Sequence, residues 1–346
     1  MAISNGQMLH GPHETIVEPW SQGKITSIEK FAQRRAPTGE RRPDNVVSFD
    51  LHDLQTETGA LGVRFDDDLG SLWCTFHHDE RPCFTPQLLE AIRRLQTRLK
   101  RGLSTPALTS RVPLRSVVWT SAAPGIWNLG GDLSLFLELI RAGAEEPLRR
   151  YAHACVDVVY QNLCKLELPL LTIALVQGDA LGGGFEAVLT NDVIIAERGS
   201  KLGLPEILFN MFPGMGAYSL LCRRLDGTRA QQLILSGRLY EAEELETMGL
   251  VDLVVEPGEG ESAVREYLTR NQRRYGLLNA LSQVRRRCQP VSYDELIDVT
   301  DIWVATALAL DEADLRRMER LAAAQQRRRA RTRMPEAATT ALSAAG

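Results

Sequence analysis

Three consecutive glycines at positions 182–184 constrain the fold of this chain more than any other feature of its sequence. They come shortly after the apolar stretch Leu171–Val176, which has the length and composition of a buried strand. Because glycine has no Cβ, the backbone of such a turn can approach a ligand closely, and the first amides of a following helix can donate to an anionic oxygen. The segment therefore predicts a strand, a glycine turn and a short helix that together bind a negatively charged oxygen.

Two glutamates accompany this turn. Glu186 lies within F-E-A-V-L and Glu206 within L-P-E-I-L-F, so both carboxyls are embedded in apolar sequence, where burying a charge is costly. The structural alternative is that each glutamate is a solvated surface residue and the glycine run only a turn. Amide donors beside two carboxyls suit chemistry on a thioester or similar carbonyl, since the amides stabilise the oxyanion and a carboxyl transfers a proton. The pattern favours a catalytic role for both glutamates.

A dinucleotide site is an alternative interpretation of the same glycines. The segment G-G-G-F-E-A matches G-x-G-x-x-A, and Glu197 closes the next apolar run, where a ribose-binding acid is expected. Only about seven residues separate the last glycine from Asn191, whereas a crossover between parallel strands needs at least about ten to twelve. This interpretation also leaves Glu206 without a role, so a nicotinamide-dependent enzyme is the weaker alternative.

The composition argues against several classes of protein. The 346 residues carry a formal net charge of −4, which disfavours nucleic-acid binding because neutralising phosphates needs a basic face. No apolar run approaches the roughly eighteen residues of a membrane span, and the N-terminus lacks the apolar core of a secretory signal, so a cytoplasmic protein is expected. The six cysteines form no C-x-x-C pair, and no metal-binding motif occurs. We therefore expect neither a metal nor a cofactor.

The chain divides into four segments by composition and periodicity. Residues 1–45 have few periodic apolar positions and are expected to form a disordered leader. Strands alternate with helices over 46–258, which predicts an α/β core, and helical periodicity alone continues over 259–327. The end at 328–346 is basic and then small and polar, which is typical of a disordered tail.

Three elements of the α/β core can be predicted individually. Two strand-like runs separated by the aspartates around Asp67 predict a hairpin. Thr85 and Pro86 predict the start of a helix, because proline is favoured in the first helical turn. A glycine-bearing loop then opens one long helical region over 133–166.

Three motifs resemble the crotonase (enoyl-CoA hydratase/isomerase) superfamily over roughly 46–326. They are W-N-L-G-G-D-L at 127–133, V-Q-G-D-A-L-G-G-G-F-E at 176–186, and G-L-P-E-I-L-F-N-M-F-P-G-M-G-A-Y-S at 203–219. Together with D-I-W-V-A-T-A at 301–307, they look most like the diffusible signal factor synthases of bacterial quorum sensing. The resemblance implies a ββα spiral core with C-terminal helices that help to cover the active site.

The resemblance also implies the roles of particular residues. It places an oxyanion hole at the backbone amides of Leu129 and Gly183, and shared acid/base work at Glu186 and Glu206. Both glutamates are present here, which favours addition or removal of water. The implied substrate-binding positions are Gly130, Leu181, Gly182, Met215 and Trp303. For Met215 and Trp303, plain core packing is an equal alternative.

The reaction implied by the subgroup begins with a 3-hydroxyacyl chain on acyl carrier protein. Dehydration gives a cis-2-enoyl thioester, and hydrolysis of the thioester releases the free fatty acid. A metabolic enoyl-CoA hydratase acting on acyl-CoA is the main alternative, because it would share the glutamates and the oxyanion hole. A non-catalytic protein that binds an acyl ligand or a regulatory partner is a further alternative.

The resemblance implies two protein partners besides the acyl carrier. The receiver domain of a sensor kinase can hold synthases of this kind, and superfamily members are often homo-oligomers. Acyl carrier protein is acidic, so basic clusters are candidate docking sites, although each is more typical of a solvated face. The clusters are Arg93, Arg94, Arg98 and Lys100; Arg223 and Arg224; and Arg285, Arg286 and Arg287.

Overall fold

Pairs of strands followed by helices repeat along the chain. The computed structural model describes residues 51–56, 59–104 and 113–333. Its strands are β1 (Leu61–Asp66), β2 (Ser71–Phe76), β3 (Ser116–Ser121), β4 (Gly125–Asn128), β5 (Leu171–Val176), β6 (Gly178–Leu181), β7 (Val193–Glu197), β8 (Lys201–Gly203), β9 (Leu239–Glu241) and β10 (Leu253–Val255). Its helices are α1 (Pro86–Ser104), α2 (Leu133–Arg141), α3 (Glu145–Leu163), α4 (Gly183–Leu189), α5 (Ala217–Arg224), α6 (Gly227–Ser236), α7 (Ala242–Thr247), α8 (Gly260–Asn271), α9 (Tyr275–Cys288), α10 (Tyr293–Leu308) and α11 (Glu312–Arg333).

The strands form two sheets. One has six strands in the order β1-β2-β3-β5-β7-β10, and the other has four in the order β4-β6-β8-β9. From β3 to β8, the first strand of each pair joins the larger sheet and the second joins the smaller one; β9 joins the smaller sheet and β10 the larger. Only the β1–β2 and β8–β9 pairings are antiparallel among those described. This arrangement is a ββα spiral, which confirms the predicted fold class.

The predicted local elements at the start of the core are confirmed. β1 and β2 form the hairpin expected around Asp67. Helix α1 starts at Pro86, and Thr85 Oγ1 accepts a hydrogen bond from the Leu88 amide at 3.2 Å, which caps the helix. All six residues of β5 are buried, as expected for a central strand of a parallel sheet covered on both faces.

The long helical region predicted over 133–166 is instead two helices. α2 ends at Arg141 and α3 begins at Glu145. Gly143 lies between them with φ = 61°, in the left-handed region that ends helices and that glycine enters without a Cβ penalty. After the break, α3 contributes Ala152 and Cys155 to the lining of the candidate site described below.

The C-terminal part of the described chain consists of helices α8 to α11. α10 packs against α3, and α11 packs against α2. α11 ends at Arg333, so the tail predicted at 328–346 begins within this helix; residues 334–346 and the predicted leader at 1–45 lie outside the described residues. Within the described ranges, no helix combines the length and the apolar character needed to cross a membrane.

Candidate active site

A cavity lies where the loop before α2, the glycine turn before α4 and helix α10 meet. Its apolar walls include Phe136, Phe209 and Trp303. Glu186 and Glu206 both line the same cavity. A concave, mostly apolar site with a few convergent polar groups is typical of a small-molecule binding site.

The two glycine-bearing loops touch each other backbone to backbone. A Cβ on Gly130 would lie 2.8 Å from the Gly183 nitrogen, and a Cβ on Gly184 would lie 2.1 Å from the Asn128 carbonyl oxygen. Gly130 also has φ = 93°, which side chains rarely tolerate. Glycine is therefore required at these positions for the loops to meet.

The oxyanion hole differs from the prediction at one of its two amides. Leu129 was expected to donate, but its N–H already donates to the Pro82 carbonyl oxygen at 2.8 Å. Gly131 lines the cavity two residues later, and no hydrogen bond among the described residues starts from its N–H. The Gly131 nitrogen lies 3.5 Å from the position that a Cβ of Gly183 would occupy. The hydrogen bond to Pro82 contradicts the predicted role of the Leu129 amide, and we propose the Gly131 amide in its place.

The second predicted amide, Gly183, is suitably placed. It is the first residue of α4, so its N–H has no acceptor within the helix. The amide also benefits from the positive end of the helix dipole, although α4 is short. Gly131 and Gly183 thus present two adjacent amides to the cavity, the arrangement that stabilises a developing oxyanion.

Glu186 is held rigidly in the wall of the cavity. It is only 1% exposed, and its Oε1 accepts hydrogen bonds from the amides of Met215 at 2.7 Å and Ala217 at 2.8 Å. Burial raises the pKa of this carboxyl to about 7, although the two amide hydrogen bonds act in the opposite direction. The carboxyl can therefore exchange a proton near neutral pH.

Glu206 has a different environment in the same cavity. It follows Pro205 in a short 3₁₀ segment, and its Oε2 is buried with no hydrogen-bond partner among the described residues. Burial raises the pKa of Glu206 to about 8, and the negative charge of Glu186 adds to this shift. A Cβ on Gly182 would lie 2.5 Å from the Glu206 Oε1, so the glycine leaves room for the carboxyl.

The two carboxyls act as one titrating pair. Because each raises the cost of ionising the other, their protons are released in two steps that belong to the pair. Near neutral pH the pair can hold one proton, which supplies one general acid and one general base. This is the combination that adding or removing water requires.

The predicted substrate-binding residues fall into two groups. Gly182, Met215 and Trp303 line the cavity. Leu181 lies instead in a small apolar cluster with Ile126 and Leu129, and is not part of the cavity wall. Gly130 is also absent from the wall, because its contribution is the close backbone contact described above.

Helix α10 closes one side of the cavity. Thr300 Oγ1 donates to the Gly214 carbonyl oxygen at 2.7 Å. The Trp303 ring packs directly on Gly214, since a Cβ added to this glycine would lie 2.6 Å from Trp303 Cδ1. The same ring packs on Phe136 with a centroid distance of 4.8 Å. Phe136 and Thr300 could not be predicted as site residues from the sequence, since each follows an ordinary helical pattern.

The acid proposed for a dinucleotide site has structural partners instead. Glu197 Oε1 accepts hydrogen bonds from the Gly260 amide and from Gln177, each at 3.1 Å. The helix after the glycines, α4, is only seven residues long. Neither feature supports nucleotide binding at this turn.

The raised pKa of Glu206 leads to a prediction about stability. The folded protein keeps a proton on this carboxyl that the unfolded chain releases, so stability falls as the pH rises from about 4.5 toward about 8. Glu206→Gln removes the titrating group and with it this loss of stability, so we expect the variant to melt about 2–4 °C above wild type at pH 8. Melting curves from pH 5 to pH 9 should show the difference vanish near pH 5. Glu266→Gln, at an exposed residue, should show no gain; an equal gain there would contradict the prediction.

Comparisons with known proteins agree on one family. The enoyl-CoA hydratase/isomerase family model matches residues 109–281, half of the chain. Human mitochondrial methylglutaconyl-CoA hydratase is 33% identical over 165 residues, which is 47% of this chain and 46% of that protein. The chain spans between 21% and 50% of the length of the curated relatives that it matches.

Solved structures share the fold at low sequence identity. Enoyl-CoA hydratase from Bacillus halodurans superimposes with a TM-score of 0.61 at 22% identity, covering 75% of this chain and 99% of that one. Pseudomonas aeruginosa DspI superimposes with a TM-score of 0.51 at 23% identity, covering 72% of this chain and 93% of that one.

Proposed function

This chain belongs to the enoyl-CoA hydratase/isomerase family, and from that premise we propose that it makes a cis-2-unsaturated fatty acid signal for quorum sensing. The substrate is a 3-hydroxyacyl chain on acyl carrier protein, which the enzyme dehydrates and then hydrolyses from the carrier. One observation carries the proposal: the buried Glu186 carboxyl and the Glu206 carboxyl, whose Oε2 is buried, share an apolar cavity with the amides of Gly131 and Gly183, which have no acceptor among the described residues.

Dehydration uses the carboxyl pair and the two amides together. The ionised carboxyl removes the proton from C2 of the thioester, and the enolate oxygen that forms accepts from Gly131 and Gly183. The protonated carboxyl gives its proton to the C3 hydroxyl. The C3–oxygen bond breaks, water leaves, and the C2–C3 double bond forms. The pair ends with one proton, as it began.

Hydrolysis reuses the same groups. A water molecule oriented by an ionised carboxyl attacks the thioester carbon, and the tetrahedral oxyanion is held by the two amides. The carbon–sulfur bond then breaks, and the carrier thiol leaves with a proton. The apolar wall from Phe136, Met215 and Trp303 is suited to the alkyl chain.

Acyl carrier protein, a receiver domain and a second copy of the chain are the proposed partners. Two of the basic side chains considered for carrier docking, Arg93 and Arg94, pair with Glu90 on the exposed face of α1. Such exposed pairs contribute little to stability, so they leave the face free to meet an acidic partner.

A metabolic enoyl-CoA hydratase is the second candidate. The observation that favours it is the identity to methylglutaconyl-CoA hydratase, whose name describes hydration of a CoA thioester. The carboxyl pair and the amides suit hydration and dehydration equally, because both directions pass through the same enolate. The carrier and the release of free acid therefore distinguish the two candidates.

Mass spectrometry of the products tests the proposal. Purified protein is incubated with 3-hydroxydodecanoyl acyl carrier protein, and in parallel with a trans-2-enoyl-CoA. We expect a cis-2-enoic free acid from the carrier substrate, and none from Glu186→Gln or Glu206→Gln. Fast hydration of the CoA substrate without free acid would favour the metabolic hydratase, and no product from either substrate would favour a binding protein.

A further inference from the structure

A second cavity, with five cations among its lining residues, lies at the C-terminal ends of α3 and α4. It adjoins another cavity, with which it shares Arg286 and Gln289. We call it the cationic cavity, and its charged lining residues are Lys165, Asp192, Arg223, Arg224, Arg285 and Arg286. None of these residues lines the catalytic cavity. The structure thus joins two basic clusters, 223–224 and 285–287, that are far apart in sequence.

The acids near the cationic cavity neutralise only part of its charge. Asp192 forms salt bridges with the Lys165 ammonium at 2.5 Å and with the Arg285 guanidinium at 2.7 Å. Glu295, outside the cavity wall, accepts two hydrogen bonds from the Arg223 guanidinium, of 2.9 and 2.8 Å. The carboxyl of Asp252, which also lies near Arg224, accepts from the Ile194 amide. Five cations therefore face three acids, two of which, Asp192 and Asp252, also accept from a backbone amide.

Arg224 and Arg286 bond to backbone carbonyls in place of carboxylates. Arg224 donates to the carbonyl oxygens of Leu189 at 3.0 Å and Asn191 at 2.5 Å. Arg286 donates to the Cys164 carbonyl oxygen at 2.8 Å, and its Nε is buried without a partner among the described residues. Burial, together with the positive charge of Arg285, lowers the pKa of Arg224 to about 10. An unsatisfied buried donor beside crowded cations is costly without an anion.

The backbone beside the cavity is strained. Lys165, Leu166 and Glu167 have φ values of 55°, 57° and 61°, in the left-handed region that residues other than glycine enter rarely and usually singly. This turn directs the Lys165 side chain inward, where it is only 3% exposed. Strain of this kind persists where the surrounding structure enforces it, and it concentrates at functional sites.

We infer that the cationic cavity binds a small molecule through a phosphate group, at a site separate from the catalytic cavity. Guanidinium groups match the oxygens of a phosphate in a forked geometry, and Arg285 and Arg286 on adjacent positions of α9 present two of them. Arg285 has a side chain 46% exposed, so the cavity is reachable from solvent. A doubly charged anion would offset the excess positive charge and accept the Arg286 Nε–H. This inference goes beyond the proposed function and does not depend on it.

Isothermal titration with inorganic phosphate and with pyrophosphate, at constant ionic strength set by sodium chloride, tests this site. We expect saturable binding of at least one of these anions to the full chain. Arg286→Gln and Arg285→Gln should each raise the dissociation constant by about tenfold or more, because each variant loses one charge-assisted hydrogen bond. Glu206→Gln should bind as wild type, because that residue lies in the other cavity.

A matched control separates the site from general screening of charge. Arg270→Gln removes an arginine that is 72% exposed and paired with Glu266 on α8, so its binding should equal that of wild type. Circular dichroism spectra should confirm that both cavity variants are folded, and Arg285→Gln, at the more exposed residue, keeps the test valid if Arg286→Gln unfolds. Absence of saturable binding to wild type, or the same affinity in Arg285→Gln and Arg270→Gln, would overturn the inference.

Discussion

Turnover of the 3-hydroxyacyl thioester is expected to fall by about 10²–10⁴-fold in Glu206→Gln, with the fold unchanged. Glutamine has the same shape but can neither take nor give the proton, and the buried Oε2 has no other partner among the described residues to lose. The loss should appear in kcat more than in KM, because the carboxyl acts on the reacting atoms. Single-turnover kinetics with the carrier substrate and a melting curve measure the two effects separately.

The Glu186→Gln variant completes this test. It should cause a comparable loss, since the pair works as one acid and one base, and the double variant should lose little more than either single one. The glutamine oxygen can still accept from the amides of Met215 and Ala217, so the loop should stay in place. Turnover at the wild-type rate in both single variants would rule out the mechanism proposed here.

The second large effect is expected from Gly130→Ala, which should lower kcat by about 10²–10³-fold, as loss of one oxyanion donor does. The new methyl group would lie 2.8 Å from the Gly183 nitrogen and from the Leu181 carbonyl oxygen, so the loops must separate. Separation moves the Gly183 amide away from Gly131. Steady-state kinetics of the variant measure the loss.

Gly143→Ala is the matched control for backbone strain. Gly143 has φ = 61°, also in the left-handed region, but a Cβ there would meet nothing within 4 Å. It should lose stability without a comparable loss of kcat, because α2 and α3 keep their positions. If both variants lost the same fraction of kcat, the loss in Gly130→Ala could not be attributed to the contact between the two loops.

The chemistry of the site was easier to predict than its geometry. Glu186 and Glu206 could be found because their apolar neighbours in sequence also bury them in the fold. The choice between the Leu129 and Gly131 amides could not be predicted, because it depends on the hydrogen bond that the Leu129 N–H donates to the Pro82 carbonyl oxygen, in a loop that precedes helix α1. Such a pairing depends on the folded arrangement of distant segments, and the spacing of glycines does not encode it.

The helices show the same limit at a smaller scale. Apolar periodicity predicted helix correctly on both sides of Gly143, yet the break itself was not predicted, although no buried position lies between Ile140 and Leu148. The strands were better determined. Their apolar runs are short and bounded by turn residues, and the ββα order followed from the resemblance of three motifs to a known fold.

The position of Trp303 and Thr300 on α10 has a consequence for inheritance of function within the family. The residues that match the family model, 109–281, include both glutamates and both amides, whereas the side of the cavity closed by α10 lies after them. One side of the cavity is thus encoded after the segment that carries the two glutamates and the two amides, while Phe136 and Met215 of the same wall lie within that segment. Exchanging α10 between relatives would offer evolution, or an engineer, a way to change the accepted acyl chain while the proton-transfer machinery stays the same.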